Sequence, residues 1–339
     1  MAESRKALPR RLGASAGTYG SCGFVDHDGR WKRQGCPVWP RVFPLLGDGF
    51  MKIRKVHDFG PVEALEAGWS PVGRPIMTAF CYRVGPVMVD TGLRHMEREV
   101  TAWAEDMPPE TVLLTHHHED HSGNGAALRR RFGVPVYAHP EAVEAVRTGF
   151  RIRPYQHLIW GQCRPFDAFP LTGKVDAGQR TFIPVHTPGH SPDHTAYWVP
   201  EEGWLFSGDL YLGDRIKFFR ADERIDQQID SLRRVLELDF DALWCGHRPR
   251  PRRGKRHLAA KLAFLEDLCG NVARLWGQGQ IRPEIMKTLG LRESWGVRSL
   301  TLGNASMRNL IDSAIASCSP SAAPEVDHRP GPKARGRFR

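Results

Sequence analysis

The run Thr115-His116-His117-His118-Glu119-Asp120-His121 gathers imidazoles and carboxylates at metal-binding spacing. Imidazole is the commonest neutral metal ligand, and imidazole mixed with carboxylate suits zinc-like ions. In an extended segment residues i and i+2 point the same way, so His116 and His118 can grip one ion while His117 faces away, toward packing or a supporting bond. Asp120 and His121 follow where the chain turns and can address a second ion beside the first. Glu119 interleaves and need not bind.

Three further pieces follow in order, and each needs an element to deliver it. Thr187-Pro188-Gly189-His190-Ser191 is a tight turn presenting an imidazole. Ser207-Gly208-Asp209 ends the apolar run Trp204-Leu205-Phe206 with an acid, and Cys245-Gly246-His247 ends Ala242-Leu243-Trp244 with a histidine. Upstream, Val87-Met88-Val89 runs into Asp90-Thr91-Gly92. Each reads as a strand carrying one polar group at its tip, with Gly allowing close backbone approach. Asp90 fits either a turn cap or an outer hydrogen-bond partner of a metal ligand. Structural zinc sites usually close with four ligands and often use cysteine. A set with no cysteine and more than four candidates points to an open, catalytic centre rather than a structural knot or a solvated loop.

These motifs resemble those of the metallo-β-lactamase superfamily of binuclear metal hydrolases, over roughly 51–317. The resemblance implies that His116, His118 and His190 bind one metal, that Asp120, His121 and His247 bind the other, and that Asp209 bridges the pair. Asp90 is implied to support the ligand loop. It further implies an α/β fold, the four-layer αββα sandwich, with a C-terminal helical segment. The cofactors implied are two divalent metal ions, zinc first, with iron or manganese accepted by the same ligand types.

At 339 residues with 41% apolar and 25% charged content, the composition is that of an ordinary soluble globular protein with ample core. No run of about 18 apolar residues appears, so no membrane partner is expected. The first thirty residues lack the apolar core of a secretory signal. Seven scattered cysteines read as a reducing compartment, and together these place the expected location in the cytoplasm. Cys22, His27 and Cys36 match no zinc-knuckle spacing. Net charge is +10, concentrated in residues 1–50, 248–256 and 319–339. The two ends read as solvated segments. The run 248–256 follows His247 directly and is a candidate for attracting an anionic substrate at the mouth of the site.

Residues 1–50, rich in Gly, Pro and Arg, are expected to be a poorly ordered extension, dispensable or preceding a natural start at Met51. Residues 51–256 are assigned to the catalytic domain, 257–318 to a C-terminal helical segment that covers the substrate pocket or packs on the sandwich, and 319–339 to a disordered basic tail. The periodicity predicts strands at 111–114, 134–137, 181–185, 195–199, 204–206 and 242–244. It predicts helices at 125–132, 140–146, 225–238, 257–278, 282–289 and 304–316. Alone, that pattern says only mixed α and β.

The segments around His190 and Asp209 look closest to the small-molecule hydrolases of the superfamily, such as the hydroxyacylglutathione hydrolases. The expected reaction is attack of a metal-bridged hydroxide on a thioester, ester or lactone of a small, anionic molecule, with Asp120 orienting the nucleophile. Tyr211 is a candidate donor to the developing oxyanion, and Arg248 and Arg250 are candidate substrate contacts. The second reading is a metal-dependent phosphodiesterase or ribonuclease, kept alive by the arginine run, although the body lacks a basic groove by charge count and no RNA-clamping insertion separates the motifs. A flavodiiron-type redox protein would carry an acid in place of His118 and a flavin domain. A metal-stabilised binding module would turn over no activated ester. Oligomeric state is left open by the sequence.

Overall fold

A computed structural model describes residues 51–318 and, before them, the backbone of residues 23–25 and 31–33, which pair antiparallel as a short hairpin. The expectations for the rest of 1–50 and for 319–339 lie outside the described residues.

The first sheet has seven strands in chain order: Met51–Asp58, Glu63–Ser70, Ala79–Val84, Val87–Val89, Thr111–Leu113, Val136–Ala138 and Phe169–Pro170. Its first four strands run antiparallel as a meander; from Val87–Val89 onward neighbours are parallel, which requires the crossover helices Glu97–Asp106, Gly125–Phe132 and Pro140–Thr148. The second sheet has five: Val175–Ala177, Arg180–His186, Thr195–Val199, Trp204–Gly208 and Ala242–Cys245. Only its last pair is parallel, bridged by the helix Ile225–Leu236.

Side-chain alternation builds the layers. In Ala79–Val84, Ala79 and Cys81 pack toward the helices, whereas Phe80, Tyr82 and Val84 enter the space between the sheets. In Ala242–Cys245, Ala242 and Trp244 face that same space while Leu243 and Cys245 meet the C-terminal helices. Three apolar layers thus separate four structural ones: helices on the first sheet (Trp103, Leu128, Val146), sheet on sheet (Tyr82, Phe206, Trp244), and the second sheet on helices (Ile229, Leu265, Ile311). This is the expected αββα sandwich.

Two tyrosines cross the middle layer. Tyr82 donates its hydroxyl proton to the Cys245 carbonyl at 2.5 Å, and Tyr197 donates to the Leu114 carbonyl at 2.6 Å. A buried phenol needs a partner, and both find one beside a ligand-bearing loop. Backbone bonds from Phe80 N to Gly246 O and from Thr195 N to Thr115 O, each 2.8 Å, join the sheets at the same end. That end is therefore where strand tips from both sheets are held in register.

The helix expected from 257 starts at Gly254 and runs to Gly277, so the boundary drawn after Arg256 falls inside it. The reason is close approach: a Cβ at Gly254 would lie 2.3 Å from Leu243 Cβ and 2.7 Å from the Asp241 carbonyl oxygen, so the chain presses on the last strand there and turns into helix. The basic run splits accordingly. Arg250 pairs through its backbone with Leu243, Lys255 caps the Leu238 carbonyl, and Arg248 alone of the three stays near the site. Along the helix, Leu258, Lys261, Leu265, Leu268, Val272 and Leu275 form a buried stripe at alternating spacings of three and four. The helices Arg282–Thr288, Trp295–Leu300 and Met307–Cys318 complete the segment, with Ala305–Ser306 pairing onto Phe219–Arg220. Among the described residues no helix is long and apolar enough to cross a membrane.

Candidate metal centre

Every expected ligand lies at the strand-tip end of the sandwich. His116, His118, Asp120 and His121 follow Thr111–Leu113; His190 sits in the turn after Arg180–His186; Asp209 follows Trp204–Gly208; His247 follows Ala242–Cys245. The ligand-capable atoms of His116, His118 and His190 lie within 4.8 Å of one another, as do those of Asp120, His121 and His247, and those of His116, His121 and Asp209. His190 Nε2 is 3.0 Å from His118 Nδ1. Asp209 spans both groups, with Oδ2 3.4 Å from His190 Nε2 and Oδ1 3.2 Å from His121 Nε2 and 3.4 Å from His247 Nε2. Asp120 Oδ2 is 3.4 Å from His247 Nε2.

Two observations bear on whether this cluster fits metal ions. His116 Nε2, His121 Nε2 and Asp209 Oδ1 are fully buried and make no hydrogen bond, a costly arrangement unless a cation satisfies them. The electrostatics agree. Burial opposes charge on His247, yet the Asp209 and Asp120 carboxylates outweigh it and hold the imidazole up at about 10. Burial likewise opposes charge on His121, and Asp209, Asp90 and Asp120 push it well above the ordinary range. Buried carboxylates thus demand positive charge here, which divalent ions would supply in place of those protons. His116 and His118 are driven the other way, chiefly by burial, and stand as neutral imidazoles suited to ligation. Three imidazoles could take one ion, Asp120, His121 and His247 a second, and Asp209 reaches both.

The far ring nitrogens are tied down in a way that aims each imidazole. Asp90, 2% exposed, accepts from His121 Nδ1 at 2.8 Å and from the Thr115 backbone N–H at 2.8 Å. Its backbone is left-handed (φ 61°), which turns the carboxylate back under the ligand loop. His247 Nδ1 donates to the Thr78 carbonyl at 2.6 Å, and Glu223 Oε1 stands 3.3 Å from His190 Nδ1. His117, as expected, leaves the cluster; its backbone N–H and Nδ1 pair with Asp193 at 2.7 and 2.8 Å. Glu119 is buried against Gln156.

Several supporting residues had no motif to announce them. His194 Nε2 accepts the Asp209 N–H at 3.0 Å while its Nδ1 meets Thr187 Oγ1; burial drives this histidine down to about 3, so it is neutral and free to accept. Lys261, 2% exposed, donates to the Leu210 carbonyl at 2.7 Å and to Gln228 Oε1 at 3.0 Å, and Gln228 donates on to Glu223 Oε2 at 2.7 Å. A continuous polar chain therefore runs from the C-terminal helix to both His190 and the loop of Asp209. The available signal was a lysine at a core position of a leucine stripe.

Tyr211 and Arg250 stand elsewhere than expected. The Tyr211 hydroxyl donates to Asp214 Oδ1 at 2.6 Å and accepts from Arg250 Nε at 3.3 Å, and neither residue lines the two clefts that reach the centre. The tyrosine is buried core whose polar tip finds an acid on its own loop. Arg248 does line a cleft.

One cleft, about 180 Å³, passes between His118, Asp120, Trp160, Phe218 and Leu300; the other, about 370 Å³, passes between Thr78, Arg215, Lys217, Arg248 and Lys261. Both open on Asp209 and His247.

Comparison with known proteins agrees with this geometry. Residues 77–247 match the model of the metallo-beta-lactamase superfamily. The chain is 30% identical over 172 residues to a probable metallo-hydrolase, YybB, of Bacillus subtilis (strain 168), covering 48% of this chain and 75% of that protein. It is 32% identical over 138 residues to a hydroxyacylglutathione hydrolase of Bdellovibrio bacteriovorus, covering 40% of this chain; it spans about half the length of that relative, 48%. Among solved structures, a metallo-beta-lactamase family protein of Thermus thermophilus superposes with a TM-score of 0.53 at 19% identity, over 76% of this chain and 91% of its own. That likeness speaks to the fold, and the family match spans half the sequence and takes in every candidate ligand from His116 to His247. The chain belongs to the metallo-β-lactamase superfamily.

Proposed function

We propose that the chain is a binuclear metal-dependent hydrolase that cleaves a thioester, ester or lactone of a small, anionic molecule. The observation that carries this reading is the meeting of two ligand groups on one carboxylate, Asp209, around three buried ligand atoms that lack hydrogen bonds. When bound, two divalent ions, zinc first among them, supply an acidified water as nucleophile and polarise the substrate oxygen. His116, His118 and His190 hold one site; Asp120, His121 and His247 hold the other; Asp209 spans them. Asp120 also orients the attacking water by accepting its hydrogen bond, while Asp90, Thr78 and Glu223 keep His121, His247 and His190 aimed. Clefts of bounded size favour a small substrate over a polymer, and the hydroxyacylglutathione hydrolases among the relatives are named for a small-molecule substrate.

The test is a side-by-side measurement of metal-dependent initial rates on an activated thioester and an activated phosphodiester, with Asp120→Asn as background. Thioester turnover should exceed the Asp120→Asn rate by at least about 100-fold, the scale of a lost positioning group. Preference for the phosphodiester would replace this reading with the nuclease one, in which Arg215, Lys217 and Arg248 contact phosphates.

A further inference from the structure

The two clefts differ in chemistry although they share one centre. The smaller is walled by Met77, Ile159, Trp160, Leu212, Val297 and Leu300. Most of its polar neighbours are turned to one another: Gln156 donates to one oxygen of Glu119, whose other oxygen is buried without a hydrogen bond, Asn304 donates to Tyr155, and Arg220 is paired with Asp222. The C-terminal segment roofs it, held by the Asn304–Tyr155 bond and by the pairing of Ala305–Ser306 with Phe219–Arg220. At the lip shared by the two clefts Ile76 is 68% exposed.

The larger cleft carries Arg215, Lys217 and Arg248, all exposed, on two loops that converge. A Cβ on Gly213 would lie 3.9 Å from Arg248 Nη1, so the arginine reaches over the loop that bears the other two cations. No carboxylate among the described residues forms an ion pair with any of the three. Other exposed arginines also lack a carboxylate partner, Arg74 and Arg98 among them; what sets these three apart is that they line one cleft that opens on Asp209 and His247. Three unpaired like charges around one cleft repel one another and are the arrangement an anion relieves.

Resting on the hydrolase reading above, we infer that the substrate is an amphiphilic acyl thioester: an apolar acyl chain in the cleft under the C-terminal roof, and a phosphorylated thiol carrier over Arg215, Lys217 and Arg248. The scissile carbonyl then lies where the clefts meet, at Asp209 and His247. Water's oxygen forms the new C–O bond, the C–S bond breaks, and the products are a carboxylate, the free thiol and one proton. About 180 Å³ accommodates on the order of ten water-sized groups, hence a chain of medium length rather than a two-carbon acyl group. A carrier phosphate could belong to phosphopantetheine or to coenzyme A, and the cations recognise either.

The experiment measures kcat/KM on the metal-loaded full chain for acetyl, butanoyl, hexanoyl and octanoyl thioesters of pantetheine, 4′-phosphopantetheine and coenzyme A, with S-lactoylglutathione alongside. Each added methylene should raise kcat/KM about 3-fold until the cleft is full. Both phosphorylated carriers should exceed neutral pantetheine at least 10-fold. The triple variant Arg215→Gln, Lys217→Gln, Arg248→Gln should lower kcat/KM for the phosphorylated carriers at least 10-fold more than for pantetheine. Equal phosphorylated carriers assign the recognition to the pantetheine phosphate; a further gain with coenzyme A adds its nucleotide. A flat chain-length series, equal rates on pantetheine and its phosphate, or preference for S-lactoylglutathione overturns the inference and leaves the hydrolase reading standing. Turnover of no thioester, with metal-dependent cleavage of a phosphodiester, overturns both.

Discussion

Replacing Asp90 by Asn isolates the contribution of one carboxylate charge to the metal centre. The backbone at Asp90 is left-handed, and Asn is one of the few side chains that tolerates that region, so the substitution adds no backbone strain. What changes is one acceptor. Asp90 Oδ2 receives His121 Nδ1–H and Oδ1 receives the Thr115 N–H, both at 2.8 Å. Whichever way the amide of Asn turns, its NH₂ meets one of those donors. Losing a hydrogen bond to a charged group costs about 1.5–3 kcal/mol. Outer contacts to ligating histidines are worth about 10–100-fold in metal affinity, which at ~1.4 kcal/mol per decade is about 1.4–2.8 kcal/mol. The two routes agree, so zinc affinity of Asp90→Asn should fall about 10–100-fold. Stripped protein titrated against a chromophoric chelator reads the affinity, and far-UV circular dichroism of the metal-free protein checks the fold. An affinity within about 3-fold of the wild type in a folded variant would falsify the orienting role of Asp90.

Gly246→Ala should abolish most activity without any new charge, because its Cβ would lie 2.5 Å from His121 Cε1 and 2.6 Å from Asp209 Oδ1. Displacing ligands by about 1 Å costs on the order of 100-fold, and steady-state rates at saturating metal check it; near-wild-type kcat/KM would show that the loop yields freely. Acid sensitivity is expected at Asp193, whose burial raises its carboxyl but whose bonds from His117 prevail and hold it at about 2, below the unfolded value of about 3.9. A depressed folded value means its contribution, about 2–3 kcal/mol, is fully present above pH ~4 and is lost as pH falls through about 2. Urea unfolding of metal-free wild type and Asp193→Asn should therefore diverge most near pH ~5 and converge toward pH ~2; a gap that stays constant with pH would contradict the assignment.

The proposed ligand positions were legible mostly because a strand tip is written locally: Trp204 to Asp209 and Ala242 to His247 show both apolar run and candidate ligand within six residues, whereas His190 was marked by its turn, Thr187-Pro188-Gly189. The sandwich was legible through the family resemblance, since alternation in Ala79–Val84 reveals two buried faces only once the partner layers are known. Apart from Asp90, which followed an apolar run of its own, what supports the proposed ligands was not. Glu223, His194 and Lys261 reach the centre through contacts that no local pattern encodes, and Lys261 hides at a leucine-stripe position. The roof helix Trp295–Leu300 has no fully buried residue, so periodicity offers nothing to detect. Tyr211 was not readable from its spacing after Asp209, because its ring is buried in the core and its hydroxyl donates to Asp214, three residues on.

The ligands also divide along the chain. His116, His118, Asp120 and His121 come from the part that builds the first sheet, and His190, Asp209 and His247 from the part that builds the second. On the proposed assignment neither ion has a full set from one part, so each acts as a clasp between them. Ions bound at about a thousand times their dissociation constant add about 4 kcal/mol to the folded state, and here that increment would fall on the seam between the halves. In metal-starved surroundings the seam would rest on the tyrosine bonds, the backbone bonds of Phe80 to Gly246 and of Thr195 to Thr115, the pairs His247–Thr78 and His117–Asp193, and the apolar layer. Metal supply would then set how tightly the two halves of this molecule are joined, before any substrate arrives.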